Sequence, residues 1–246
     1  MRPFLLLATR AEDVAAQEEY EAFLEFGGLD AAQLERRRLE REPLGAVNLD
    51  DYAGVILGGS PFTISDEDKP DVQVRVETEL VDLTQRALAV DFPFLGACFG
   101  IGIIGAAVGG TVDRTYGEDV SAPTITLTEA GQVDPLFNAM PREFAAFVGH
   151  KEAVHSLPPD VVVLASSPLC PVQAFRVGKN VYATQFHPEL DVPGIHTRID
   201  AYKDHGYFPP EEADDLKAMA EKSDVRPDVL GRLIKRFVEL YGDADA

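Results

Sequence analysis

Apolar runs alternate with helical patterns through the first hundred residues of the chain. Short apolar runs predict strands, and longer stretches with apolar residues at helical spacing predict helices. The predicted strands cover residues 4–8, 55–57 and 94–96, and the predicted helices lie near residues 12–26 and 72–90. Strands that alternate with helices are typical of a parallel sheet covered on both faces. We therefore expect an α/β fold with an open, mostly parallel twisted sheet and helices on both faces.

The second half of the chain has a different pattern, with short strands and turns in close succession. Residues 124–128 alternate strictly between apolar and polar, and further strand candidates follow at 144–148, 161–165, 172–177 and 181–185. The turn residues Gly178-Lys179-Asn180 between the last two candidates indicate an antiparallel hairpin.

After Pro193 the pattern changes again, to polar helices. The segment PPEEADDLKAMAEKS has prolines and acids at a helix start, and apolar residues follow helical spacing at Leu230, Leu233, Ile234, Phe237 and Leu240. We therefore predict a main domain over residues 1–195 and a helical extension over residues 196–246.

Composition restricts the functional classes. With 46% hydrophobic residues the chain can form a large core, and its net charge of -20 would repel phosphate backbones and anionic lipid. We expect no nucleic-acid or membrane partner.

The apolar run 4–8 is too short for a secretory signal, no segment is long enough to cross a bilayer, and Cys98 and Cys170 form no disulfide framework. A cytoplasmic location is the expectation.

Two interpretations compete for FLGACFGIGIIG, residues 94–105. The part from Gly100 to Gly105 matches the G-x-G-x-x-G pattern of a dinucleotide-binding loop, whereas Gly96-Ala97-Cys98-Phe99-Gly100 matches a sharp turn that presents a nucleophile. A dinucleotide loop normally follows the first strand, but here strands precede it and the next helix ends near Val108. The local sequence alone does not decide between them.

The nucleophile interpretation requires a base, an orienting group and donors for an oxyanion. The stretch TQFHPEL places His187 and Glu189 two residues apart after an apolar strand, so the carboxylate can hold one ring nitrogen. The stretch VILGGSP ends another strand in Gly58-Gly59, where backbone amides can approach a substrate without an intervening Cβ. Because ligands collect beyond the carboxyl ends of parallel strands, these segments are expected to meet at one edge of the sheet.

Together these segments resemble the class I glutamine amidotransferases of the triad type, in particular the branch similar to the amidotransferase part of GMP synthase. The resemblance covers roughly residues 50–190 and implies the flavodoxin-like fold of that family. The motifs appear in the family's order: LGGSP, GACFG, GHKEAV, SSPLCPVQAF and YATQFHPEL.

The resemblance implies hydrolysis of the side-chain amide of glutamine, or of a related γ-glutamyl amide, through a γ-glutamyl thioester with release of ammonia. It implies Cys98 as the nucleophile, His187 as the proton shuttle and Glu189 as the group that orients His187. The amides of Gly59 and Phe99 would form the oxyanion hole.

The same resemblance implies a substrate pocket, although one of its residues departs from the family pattern. Gly58, His150 and Glu152 match pocket segments, and Glu152 is a candidate partner for an α-amino group. Gly102 occupies a position where the family usually has a glutamine that holds the amino-acid end of the substrate. We therefore expect weak affinity for free glutamine. Cys170 is expected to be a small buried residue, and we predict no metal and no cofactor.

Three functions follow from these patterns. The first is a cysteine amidohydrolase of amidotransferase type. The second is a catalytically altered amidotransferase-like module that binds a partner, and the last is a nucleotide-binding protein. The sequence contains no Gly-rich Lys-Ser/Thr loop, so any acceptor of ammonia would be activated by a synthetase or acceptor-domain protein in trans.

Overall fold

The α/β fold class predicted from the sequence is confirmed. The structure is a computed structural model that describes residues 2–204 and 208–242. The strands are β1 (Phe4–Ala8), β2 (Leu34–Arg38), β3 (Gly54–Leu57), β4 (Phe94–Ala97), β5 (Thr111–Asp113), β6 (Glu118–Ser121), β7 (Thr124–Leu127), β8 (Glu143–Ala145), β9 (Val148–His150), β10 (Ala153–Ser156), β11 (Val162–Ser166), β12 (Ala174–Val177) and β13 (Val181–Thr184). The helices are α1 (Asp13–Gly27), α2 (Asp71–Ala89), α3 (Phe99–Ala107), α4 (Glu129–Val133), α5 (Val192–Tyr202), α6 (Ala213–Glu221) and α7 (Pro227–Tyr241).

A nine-stranded sheet forms the centre of the molecule, in the order β2-β1-β3-β4-β13-β12-β11-β7-β8. Neighbouring strands from β2 to β13 are parallel, and those from β13 to β8 are antiparallel. The predicted hairpin is confirmed, because β12 and β13 pair from Val177↔Val181 and Gly178 at the turn has φ +57°. Two small sheets, β10-β5 and β6-β9, lie outside the main one.

Strand β1 shows why the first strands have no polar alternation. Phe4 and Leu6 belong to one hydrophobic cluster and Leu5 and Leu7 to the other, since successive side chains point to opposite faces. Residues of α1 and α7 cover the first face, and residues of α2 and α3 cover the second. A strand buried on both faces is a continuous apolar run.

Strand β2, LERRR, was not predicted from the sequence. It is an edge strand that pairs only with β1 in the sheet order, so four of its residues keep partial exposure. Charged side chains are common on edge strands because they oppose pairing with other chains. Arg38 forms ion pairs with Asp13 and Glu40.

The single strand predicted over residues 144–148 is wrong. Strand β8 ends at Ala145 in the main sheet, and β9 begins at Val148 and pairs with β6 in a separate sheet. Ala146 and Phe147 between them are fully buried, so the apolar run continues where the chain changes sheet.

The carboxyl-terminal part is helical where it is described, as its spacing predicts. Helix α5 runs across the predicted boundary at residue 195, and α7 contributes Leu230, Leu233, Ile234 and Phe237 to the same cluster as Phe4. The division into 1–195 and 196–246 stays a prediction. Within the described part of the chain, no helix combines the length and the apolar character that a membrane span requires.

Candidate active site

Three predicted segments follow three neighbouring parallel strands. Gly58-Gly59 follows β3, Cys98 follows β4, and Gln185 to His187 follow β13, and β4 lies between the other two strands. The register pairs Gly96 with Leu57 on one side and with Ala183 on the other. The three carboxyl ends therefore bring these segments to the same edge of the sheet.

Cys98 occupies a strained turn between β4 and α3. Its φ of 53° lies in the left-handed region, which L side chains rarely adopt. A Cβ on Gly96 would lie 2.8 Å from the carbonyl carbon of Gly100, and a Cβ on Gly100 would lie 3.0 Å from the Leu57 carbonyl oxygen. The two glycines permit close packing around a turn that places Cys98 in the lining of a cavity.

His187 and Glu189 form a buried pair. The imidazole Nδ1 is 2.9 Å from Glu189 Oε1, and both side chains are buried. His187 and Cys98 line the same cavity. With Nδ1 turned toward Glu189, the remaining ring nitrogen, Nε2, is available to exchange a proton with a group in that cavity.

Sequence reasoning missed a pair of buried arginines behind the histidine. Arg198 of α5 donates from Nη2 to Glu189 Oε1 at 2.7 Å, and its Nη1 lies 2.9 Å from His187 Nδ1. Arg10, which follows β1, donates to Glu19 Oε1 at 2.8 Å, and Arg198 Nη2 is 3.5 Å from the same oxygen. These residues are distant in sequence and form no motif, so only the fold brings them together.

The environment opposes charge on the thiol and the imidazole. Burial raises the pKa of Cys98 to about 11, against the attraction of Arg10 and Arg198. Burial also lowers the pKa of His187 to about 4; Glu189 opposes that shift and Arg198 adds to it. Burial raises the pKa of Glu189, but His187 and Arg198 outweigh burial and keep the carboxyl ionised. Burial therefore favours the neutral form of both groups.

The proposed oxyanion donors belong to Phe99, which follows Cys98 in the chain, and to Gly59, which follows the neighbouring strand β3. Phe99 is the first residue of α3, where a backbone N–H has no partner within the helix. A Cβ on Gly59 would lie 2.7 Å from His187 Cε1, so this residue packs directly against the imidazole. The Gly58 amide instead donates a hydrogen bond to the Leu7 carbonyl at 3.1 Å, so it is part of the pairing between β3 and β1.

Of the four predicted pocket residues, Gly102, His150 and Glu152 line a second cavity, whereas Gly58 does not line it. This cavity, of about 30 Å³, is also lined by Cys98. The two Glu152 oxygens accept hydrogen bonds from the Ile64 and Ser65 amides, both at 2.7 Å. An ionised carboxylate has about four acceptor sites, so a further donor can still bind it.

Both ring nitrogens of His150 contact protein atoms. Nδ1 is 2.9 Å from the Glu152 carbonyl oxygen, and Nε2 is 3.1 Å from Glu118 Oε2. His150 therefore fixes the segment that presents Glu152 to the cavity.

The space beside Gly102 is occupied by Ile64. A Cβ built at Gly102 would lie 2.8 Å from Ile64 Cδ1 and 3.7 Å from Glu152 Oε1. The neighbouring loop, and not a polar side chain, therefore fills the position opposite Glu152.

The dinucleotide interpretation of residues 100–105 is not supported by this environment. The three glycines belong to the buried helix α3 and not to a loop. Gly100 packs against Leu57, Gly102 against Ile64 and Gly105 against Val154. A dinucleotide-binding loop needs glycines whose backbone can approach a phosphate group, whereas these glycines pack inside a helix.

A second group of polar residues lies nearby. Single ligand atoms of Glu118, His150 and Cys170 all lie within 4.8 Å of one another, and these atom types suit zinc. Glu118 Oε2 already accepts hydrogen bonds from His150 Nε2 and Gln173 Nε2, and Cys170 Sγ lies 3.5 Å from the Val172 carbonyl oxygen. Hydrogen bonds account for this group, and the absence of a metal stays a prediction. Cys170 is fully buried, as expected.

The family comparison covers most of the chain. The family model for glutamine amidotransferase class-I matches residues 29–224. Among curated relatives, a subunit of the glutamine-hydrolyzing GMP synthase of Methanocaldococcus jannaschii is 33% identical over 138 residues. That alignment spans 56% of this chain and 64% of the relative. The glutamine-hydrolyzing GMP synthase of Elusimicrobium minutum is 29% identical over 150 residues, which are 60% of this chain and 26% of the relative.

Solved structures resemble the fold over nearly the whole chain. A glutamine amidotransferase from Thermotoga maritima superposes with a TM-score of 0.77 and 21% identity, over 99% of this chain and 100% of that one. A glutamine amido transferase from Methylobacillus flagellatus gives a TM-score of 0.69 and 20% identity, over 98% and 94% of the two chains. At these identities the likeness extends to the fold alone.

Proposed function

Because the chain belongs to the class-I glutamine amidotransferase family, we propose that it is a cysteine-dependent amidohydrolase. Its substrate is glutamine or a related γ-glutamyl amide, and the reaction proceeds through a thioester on Cys98 with release of ammonia or an amine. One observation carries the proposal: Cys98 on its positive-φ turn shares a cavity with His187, whose Nδ1 is 2.9 Å from Glu189.

The mechanism begins with proton transfer, because the resting thiol is neutral. His187 Nε2 takes the proton as Cys98 Sγ attacks the amide carbon, and Glu189 accepts from Nδ1–H and stabilises the imidazolium. The Gly59 and Phe99 amides bind the developing oxyanion. His187 then protonates the leaving nitrogen, and water hydrolyses the thioester with His187 acting again as base.

Arg198 affects which tautomer His187 adopts. Nδ1 cannot donate to Glu189 and accept from Arg198 Nη1 at the same time. Only the first arrangement leaves a lone pair on Nε2 for the thiol proton. The stronger acceptor, the ionised Glu189, favours that arrangement.

An acceptor of ammonia would be supplied by another polypeptide. Several relatives of this chain are named as one subunit of a GMP synthase. We propose a synthetase or acceptor-domain protein in trans as the partner.

A catalytically altered binding module is the second candidate. Ile64 occupies the space that a side chain at position 102 would need. This favours the binding module, because it reduces the space at the amino-acid end of a bound glutamine. Absence of both turnover and covalent labelling in a folded protein would support this candidate.

The test of the proposed function is covalent trapping at Cys98. A glutamine-analogue electrophile such as diazo-oxo-norleucine is incubated with the protein, and intact-mass measurement follows the adduct. We expect one adduct on the native chain and none on Cys98→Ser, and Cys170→Ser is the matched control that still reacts. An adduct that persists in Cys98→Ser would remove this residue from the mechanism.

Turnover of variants provides the second arm of the test. His187→Ala is expected to lose at least about a hundredfold in kcat, the lower end for general acid–base catalysis. Glu189→Gln is expected to lose less, because its task is orientation. A larger effect of Glu189→Gln than of His187→Ala would contradict these roles.

A further inference from the structure

The cavity that Cys98 shares with His187 is mostly apolar, although Arg10 and Arg198 also line it, and it is larger than ammonia requires. Its volume is about 60 Å³, whereas one water-sized molecule needs only about 10–15 Å³. Much of its wall is aliphatic or aromatic side chain, contributed by Val120, Val148, Leu190, Ile195, Ile199 and Phe208.

Cys98 lines both this cavity and the second cavity, which Glu152 lines. Ser60 and Gly149 line both cavities together with Cys98. A substrate whose amide carbon lies at the thiol therefore extends one end into each cavity.

The position of His187 determines which end enters the apolar cavity. His187 lines the apolar cavity, and Glu152 lines the second cavity. The leaving nitrogen must reach His187 to receive its proton, so it lies on the apolar side. The glutamyl part, with its charged α-amino group, lies on the side of Glu152.

We propose that the apolar cavity receives the leaving amine, and that the preferred substrates are γ-glutamyl amides of primary amines with an apolar substituent. This inference rests on the proposed function. Sγ bonds to the amide carbon, the C–N bond breaks, and its electron pair stays on nitrogen, which takes a proton from His187. Water then cleaves the thioester, so the net products are glutamate and the free amine.

The experiment compares glutamine with its N-ethyl, N-butyl and N-phenyl amides and measures the release of glutamate, the product common to all of them. From the ethyl to the butyl amide, kcat/KM is expected to rise about fourfold for each methylene that leaves water. Equal or falling values along the series, with glutamine the best substrate, would overturn the inference and leave the proposed function intact. Absence of glutamate from every amide, together with absence of labelling at Cys98, would overturn both.

Phe208 offers a variant in the wall of the cavity. It is half-buried, so its replacement disturbs the fold less than that of Ile199, which is 1% exposed. Phe208→Ala is expected to lower kcat/KM for the butyl amide at least about tenfold more than for glutamine, because part of the apolar wall is lost. Phe208→Leu should retain the preference. Leu169→Ala, at an exposed apolar residue outside this cavity, is the matched control. Equal losses for both substrates in Phe208→Ala would contradict the assignment.

Discussion

At the scale of single residues, Cys98 combines a strained backbone with a thiol that resists ionisation. Burial raises its pKa to about 11, and the pKa of His187 is lowered to about 4. We predict that alkylation of Cys98 by iodoacetamide accelerates about tenfold per pH unit from neutral pH up to about 11, because thiolate is the reactive form. Mass spectrometry of the modified chain measures the rate, with Cys98→Ser as the blank. A rate that is already constant from about pH 4 upward would indicate a resting thiolate–imidazolium pair instead.

Arg198 is a positioning residue, because it acts on the reaction through His187 and Glu189. Its charge lowers the pKa of His187, so Arg198→Met should raise that pKa and move the acid limb of kcat/KM to higher pH by about one unit or more. The measurement is the pH profile of glutamate release. Arg198→Lys keeps a cation and should move the limb less. An acid limb at the native pH in a folded Arg198→Met would exclude this role.

Gly102 and Ile64 together determine the space opposite Glu152. A glutamine at position 102 would crowd Ile64 Cδ1, so Gly102→Gln is best tested in combination with Ile64→Ala. We predict that the double variant has a KM for glutamine about tenfold or more below that of Ile64→Ala, because a hydrogen bond to a charged group stabilises the complex. The change in kcat should be smaller. A double variant that melts normally and has the KM of Ile64→Ala would show that a glutamine at position 102 does not bind the amino-acid end of the substrate.

Much of the residue-level chemistry was accessible from local motifs, and the rest was not. Gly96 and Gly100 lie two residues from Cys98, and His187 lies two residues from Glu189. Residues this close in sequence are also close in space, so the chemistry of each segment could be predicted from the sequence. Arg10, which follows β1, and Arg198, which lies within α5, are 188 positions apart and meet only because the fold brings both to Glu19. The occupation of the Gly102 site by Ile64 likewise depends on a loop conformation that spacing does not specify.

At the scale of elements, burial decided which predictions succeeded. Strands β1, β3 and β4 are apolar throughout and were predicted to within a residue at each end. The charged edge strand β2 gave no such signal. The apolar run at 144–148 gave a misleading one, because Ala146 and Phe147 remain buried outside any strand.

Helix α7 provides a test of how far the carboxyl-terminal helices belong to the core. Phe237 is fully buried, and its ring centroid lies 5.8 Å from that of Phe4 in β1. Phe237→Ala is predicted to lower the free energy of unfolding by about 3–5 kcal/mol. Denaturant unfolding measures this value, and Lys235→Ala on the exposed face of the same helix should stay within about 0.5 kcal/mol. If α7 were an independent appendage, the main transition would be unchanged in Phe237→Ala.

At the scale of the whole molecule, the dominant feature is a net charge of -20. Mutual repulsion of these charges destabilises the compact state, and protonation of surface carboxylates in acid relieves it. The buried site acts in the opposite direction, because it contains groups that must be neutral or paired when the chain is folded. Stability against pH therefore combines a surface contribution with one from the active site.

The contribution of His187 can be isolated by its pH window. The unfolded histidine takes up a proton below its ordinary pKa of about 6.5, whereas the folded one does so only near 4, so stability is lost as pH falls between these values. A displacement of this size corresponds to about 3 kcal/mol. Glu189 contributes in a lower pH range, because its pKa is depressed in the folded state and its stabilisation is lost only below its ordinary value.

We predict that His187→Gln abolishes most of the loss of stability between pH 6.5 and 4, while the surface contribution, common to both proteins, cancels in the difference. Denaturant unfolding of both proteins at a series of pH values measures it, and parallel curves for the native chain and His187→Gln would show that this histidine does not carry the acid sensitivity.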